Sequence, residues 1–310
     1  MTDSVRPKGR SVPVLLPRHA LLLCLVAAVA MVVVGVVSHE LAGSPGAAGH
    51  GQGSPSGAGA APELPPPSWF IWATAAGELS VGLVVVAAWA FWWSRYLVSL
   101  GPAAARAFLS VLIPTGRPSA RTTLGAVLLA ISSAPFAELV ARWVQAMLHI
   151  SVSSGDVVAR VVQSASRVEF GGMLLSLAVL PAVVEEVLFR GVVFAAFARD
   201  SLKEAVLVSS LLFAAFHLDP TQMAGTVLLG LAFGLGRLCS GTVVAGVLAH
   251  ALYNAFVLLA LRVGTTPPGN DASAVSVPAL GVGAVGALLG IWLLFGRSLR
   301  SRAAPPGASG

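Results

Sequence analysis

Charge is what this chain has least of. Lys, Arg, Asp and Glu together supply 10% of its 310 residues, where soluble domains carry about 25%. With 56% hydrophobic residues and a mean hydropathy of +0.85, that excludes an ordinary soluble globule and points to a membrane protein. Cysteine is nearly missing too: Cys24 and Cys239 both sit within apolar runs. No disulfide framework and no cysteine-type metal site is therefore available. Lysine occurs only as Lys8 and Lys203, so arginine carries the basic charge, and Ala, Gly and Val are abundant. That is the residue usage of a GC-rich bacterial genome. The net charge of +6 is scattered between apolar runs rather than clustered, so no nucleic-acid partner is expected.

What is present is a series of apolar stretches, at 19–37, 70–93, 122–148, 171–190, 204–217, 222–237, 242–261 and 277–295. Each is long enough, or nearly so, to cross about 30 Å of hydrocarbon. The expected fold is all-α, a polytopic transmembrane helical bundle of about eight spans with the lipid bilayer as solvent. The fifth stretch, at fourteen residues, reads as tilted or partly re-entrant. With a cytoplasmic N-terminus, fifteen of the 19 basic residues face the inner side. Only Arg142, Arg160, Arg167 and Arg262 fall on the outer side. This positive-inside bias places both termini in the cytoplasm, for a protein of the bacterial inner membrane.

The chain divides accordingly. Residues 1–18 form a cytoplasmic N-terminal segment and 19–37 the first transmembrane anchor. That run follows basic residues as a signal peptide would, but it exceeds the usual h-region of about 7–15 residues, so a retained anchor is expected. Residues 38–68 are a Gly/Pro-rich extracytoplasmic linker without Lys or Arg, a composition that buries no core. Residues 69–169 hold accessory spans and a surface segment, with an amphipathic outer helix over 150–169. A core follows at 170–262, and 263–310 carries the last span and a cytoplasmic tail.

The core holds unusual groups. Glu185, Glu186 and Arg190 lie within VLPAVVEEVLFRG, and each ionised side chain at such a depth costs about 2.5–3.5 kcal/mol on insertion scales. Glu186 and Arg190, at i and i+4, share a helical face and suit an ion pair. Glu185 is turned about 100° away, with Pro181 and Phe189 at its own four-residue spacings, and is left free for proton transfer. Phe213 and His217 share a face in the fifth stretch, as do His250 and Asn254 in the seventh. Glycines 225, 230, 234 and 236 let the sixth span pack closely, bringing the fifth and seventh together. Glu138 and Arg142 form another i, i+4 pair, which accounts for both. Glu78 has no such partner and is a possible helper. His39 and His50 fall in the linker and His149 at a span end. Trp69, Trp72, Trp92, Trp93 and Tyr96 mark interfacial belts.

In order and type, Glu185-Glu186-x-x-x-Arg190, Phe213-x-x-x-His217, the Gly-x-x-x-Gly span and His250-x-x-x-Asn254 resemble the CAAX prenyl protease/bacteriocin-processing (CPBP, or Abi) intramembrane proteases. The resemblance covers 170–262 and makes that segment a CPBP-like catalytic core. It implies an endopeptidase acting on a membrane-associated peptide or protein, as in CAAX-box processing. By the same resemblance Glu185 and His217 activate water, His250 and Asn254 bind the oxyanion, and Glu186 and Arg190 support the site. The family label is metalloendopeptidase, yet its chemistry can also be read as water activated by glutamate without metal.

The residues leave the cofactor open between a divalent metal such as Zn2+ and none. Glu185, His217 and His250 make an acceptable catalytic zinc set with one position for water, but the H-E-x-x-H helix is missing. Counted along the expected helices, Glu185 and His250 lie about 8–12 Å from the cytoplasmic face and His217 roughly 20 Å, a mismatch for one site. Two other functions compete: a proton-coupled transporter using the same Glu and His groups, and a catalytically silent scaffold. Against the carrier, no paired pattern of broken helices is found.

Overall fold

The computed structural model describes residues 17–43, 66–92, 106, 109–150, 154–264 and 275–303. Most of the linker with His50, the residues Trp93 and Tyr96, and both extreme termini lie outside the described residues. Helices account for nearly everything within them, and no strand occurs among the described residues. They are α1 Pro17–Gly43, α2 Pro67–Trp92, α3 Ala120–Met147, α4 Ser154–Ser164 and α5 Arg167–Phe197. α6 Leu202–Ala215, α7 Pro220–Ser240, α8 Val243–Arg262 and α9 Val277–Ala303 are the other long ones, and residues 109–112 are helical too.

Short polar residues set the helix starts by accepting orphan backbone N–H groups. Ser119 caps α3, Ser201 caps α6, Asp219 with Pro220 behind it caps α7, and Thr242 caps α8. Ser166 and Glu169 form a reciprocal capping box at the start of α5. α7 stops at Gly241, whose φ of 71° ends a helix at little cost in glycine.

Seven of these helices are long and apolar enough to cross a membrane, one fewer than the eight apolar stretches. The missing one is α6, whose 14 residues span only about 21 Å. It nevertheless reverses the chain. Ser210 packs on Gly230 and Val206 on Gly234, so α6 runs antiparallel beside α7. Gly225 meets Ala137 and Gly236 meets Ala126, which sets α7 antiparallel to α3. Gly290 rests on Gly125 and Leu129, and Gly283 on Ser132 and Pro135, so α9 also opposes α3. The up-and-down alternation is preserved through α6.

Several boundaries differ from expectation, among them the end of α9, which lies at Ala303 rather than 295. α1 continues to Gly43, taking His39 from the linker into the helix, because nothing before Gly43 breaks it. The amphipathic outer helix is only Ser154–Ser164. Its Val161 and Val162 are buried with Met173, Ala178 and Leu258, while residues 167–169 open α5 behind their capping box. α5 itself runs well past both expected ends, to Phe197. The glycines of α7 receive α6 and α3, because a Cβ there would strike Ser210 and Ala137.

Candidate active site

α5 is the spine of the site, and it is not a uniform helix. Leu174–Val179 and Val187–Val193 are π-helical, a local widening often found where function needs a side chain re-aimed. Pro181 supplies a reason for the first. It has no N–H, so the carbonyl four residues back, on Leu177, loses its helical donor. Asn254 of α8 takes that place, its Nδ2 donating to Leu177 O at 3.1 Å. In the second stretch Arg237 of α7 donates from Nε to Arg190 O at 3.1 Å. Two side chains from neighbouring helices thus satisfy carbonyls of the widened turns.

Between the two stretches stand Glu185 and Glu186, both buried. Glu186 is fully enclosed and pairs with Arg190, Nη1 to Oε1 at 2.9 Å. Arg190 also donates from Nη2 to Gly230 O at 2.8 Å, and its guanidinium lies 4.5 Å above the Phe213 ring and 5.4 Å from that of Phe233. Arg190 Nε and Glu186 Oε2 are left without a hydrogen-bond partner, so this desolvated pair is only partly satisfied. The expected pairing is nonetheless found. Glu138 and Arg142 pair likewise, at 2.6 Å.

His250 bridges the two carboxyls. Its Nε2 lies 3.9 Å from Glu185 Oε2 and its Nδ1 3.4 Å from Glu186 Oε1, although neither approach is aligned as a hydrogen bond. Phe233 stacks on the imidazole at 4.7 Å and Phe213 meets it edge-on at 5.5 Å. Glu185 Oε2 and Glu186 Oε2 are both buried without a hydrogen-bond partner, but only Glu186 is paired with a cation. An orphaned buried carboxyl oxygen in such a cluster is the feature most in need of a chemical explanation.

His217 lies just beyond α6, its ring 5.2 Å from that of Phe213. Its Nδ1 is 3.0 Å from Phe213 O. A carbonyl only accepts, so the proton is on Nδ1 and Nε2 is left as a basic lone pair in the neutral ring. Phe213 touches both His217 and His250, which removes the depth mismatch: both histidines border one aromatic side chain. The nearer imidazole to Glu185 is nevertheless that of His250.

The three metal candidates fit a metal ion poorly. Among the described residues no group of three or more His, Cys, Asp or Glu is placed to hold one, and Cys24 and Cys239 are free thiols. Gly246 was not legible as a site residue. A Cβ there would run into Glu186 Oε2, so α8 approaches α5 closely only because this position is bare. Its spacing of four before His250 was the available signal. Leu177 O and Pro181 are likewise part of the arrangement without being part of any motif.

The apolar helices and this buried polar cluster define an integral membrane protein. Residues 167–256 match the family described as Type II CAAX prenyl endopeptidase Rce1-like, which shows the resemblance read from the motifs over that segment. The match covers 90 of 310 residues (167 to 256 inclusive) and contains Glu185, Glu186, Arg190, Phe213, His217, His250 and Asn254. No curated protein and no solved structure matches the chain.

Proposed function

We propose that the protein is an intramembrane endopeptidase that hydrolyses a peptide bond of a membrane-associated protein or peptide, with Glu185 and His217 activating water. The observation that supports this best is the partnerless, buried Oε2 of Glu185 beside His250, in a segment similar to an endopeptidase family. Glu185 takes a proton from water as the oxygen adds to the scissile carbonyl carbon. Nε2 of His217 is a second acceptor for the same water. N–H groups of His250 and Asn254 receive the oxyanion, since Asn254 has a second Nδ2 hydrogen besides the one on Leu177 O. Collapse breaks the C–N bond, and the leaving amine regains the proton from Glu185. Glu186 and Arg190 hold the carboxyl pair in place. The site belongs to the cytoplasmic half of a bacterial inner membrane, with both termini cytoplasmic.

Purified protein in nanodiscs, incubated with a membrane-proteome digest and read by mass spectrometry, tests this. The account expects new peptide ends that disappear with His217→Ala, and turnover that survives exhaustive chelation, since Glu185, His217 and His250 are not gathered as ligands. Activity lost on chelation and restored by Zn2+ would overturn the metal-free chemistry. No cut peptide, together with solute uptake into proteoliposomes driven by a proton gradient and dependent on Glu185, would make the protein a carrier.

A further inference from the structure

Between α1, α2 and α5 lies a cavity of about 270 Å³ that the hydrolytic chemistry leaves unused. Its walls are largely apolar, with Trp69, Phe70 and Leu177 among them, and its polar side chains are Thr74, Glu78 and Ser176. Thr74 is spent, its hydroxyl donating to Phe70 O at 2.7 Å. The other two are not. Glu78 Oε2 and Ser176 Oγ are buried without a hydrogen-bond partner, and Ser176 is only 4% exposed.

An unpartnered carboxyl oxygen and an unpartnered hydroxyl, buried on two residues that line one cavity, are an arrangement that packing alone does not require. Glu78 also lies within electrostatic range of Glu185. Three carboxyls, those of Glu78, Glu185 and Glu186, therefore stand in one region with Arg190 bound to the last of them. Carboxyls in such surroundings gain most from a positive charge that arrives with its own hydrogen-bond donors. Lysine and arginine side chains have the complementary form: a methylene stem that suits apolar walls and a head of N–H donors.

We propose that this cavity is a specificity pocket for one lysine or arginine side chain of the peptide substrate, the stem lying against Trp69, Phe70 and Leu177 and the head on Glu78 and Ser176. The proposal rests on the endopeptidase reading and names the side chain that would seat the peptide beside Glu185. Ser176 accepts through its oxygen. Leu177, the next residue, carries the carbonyl held by Asn254, so the pocket wall and the catalytic helix share one widened turn.

The test is binding, so that it stands apart from turnover. A set of fluorescein-labelled apolar peptides, each with one lysine at a different position, is compared with norleucine twins on full-length Glu185→Gln protein in nanodiscs. The pocket predicts that at least one lysine peptide binds about tenfold tighter than its twin, the order of one charge-assisted hydrogen bond. Adding Glu78→Gln, which is isosteric, should reduce that preference to about twofold or less, and Ser176→Ala should weaken it. Adding Glu78→Lys instead should shift preference to a glutamate twin. Equal binding of every lysine peptide and its twin overturns the pocket, as does a preference unchanged by Glu78→Gln. With Glu185 intact, Glu78→Gln should raise KM for the lysine peptide and spare kcat. An equal fall in kcat for both twins would move Glu78 into the chemistry and overturn the specificity role. Wild-type protein that cuts neither peptide sinks the endopeptidase reading, while the binding comparison still decides the pocket.

Discussion

Glu186 answers to three neighbours at once: Arg190 neutralises it, His250 faces it, and Gly246 leaves it room. Removing the guanidinium strands a fully buried carboxyl, so Arg190→Ala should cost about 3–5 kcal/mol, visible as lower Tm and poor expression. Replacing both partners by apolar residues, as in Glu186→Leu with Arg190→Met, should recover part of that loss without restoring cleavage. A double-mutant cycle with no coupling would contradict the pairing. Gly246→Ala probes the third neighbour. Its methyl group meets a carboxyl that Arg190 holds still, so overpacking of about 1–3 kcal/mol is expected, with a larger loss of cleavage than of stability because His250 rides on the same helix. Unchanged kcat/KM in that variant would show that the close approach of α8 is dispensable.

α5 shows what could be read from sequence and what could not. Its Glu186–Arg190 pair followed from helical spacing alone, because an i, i+4 relation survives small errors in helix boundaries. The same argument left Glu185 without a partner at its own helical spacings; its Oε2 makes no hydrogen bond, and neither does Glu186 Oε2. The π-helical stretches did not follow, since they arise from Pro181 together with Asn254 and Arg237, which lie on other helices. Restoring the missing N–H by Pro181→Ala should let Leu177 O rejoin the helix ladder and release Asn254. Stability should hold or rise, since an interior proline costs a helix about 3 kcal/mol. Cleavage should fall, by up to about 100-fold for a misplacement near 1 Å. A variant less stable yet fully active would refute the latch between α5 and α8.

Across the whole molecule the alternation of helix directions was legible from hydropathy, and the short α6 was recognised by its length. What hydropathy missed was lateral packing. The glycines of α7 select α3 and α6 as neighbours through close backbone contact, and a one-dimensional apolar pattern holds no information on which helix lies alongside. The positive-inside bias gives the orientation a direct check. Reporter fusions after residues 117, 200 and 241 should read as cytoplasmic, and those after 149 and 264 as extracytoplasmic. A cytoplasmic signal after 149 would invert α3 and everything packed on it.

All of this places one carboxyl at the centre. The decisive measurement is the turnover of a cleavable membrane peptide by purified wild-type and Glu185→Gln protein in nanodiscs, with equal Tm as the control for folding. Glutamine keeps the shape of the side chain and removes its capacity to take a proton. The account predicts a fall in kcat of about 10²–10⁴-fold or more, as for loss of a general base, with KM little changed. Turnover by Glu185→Gln within a few-fold of wild type would contradict it.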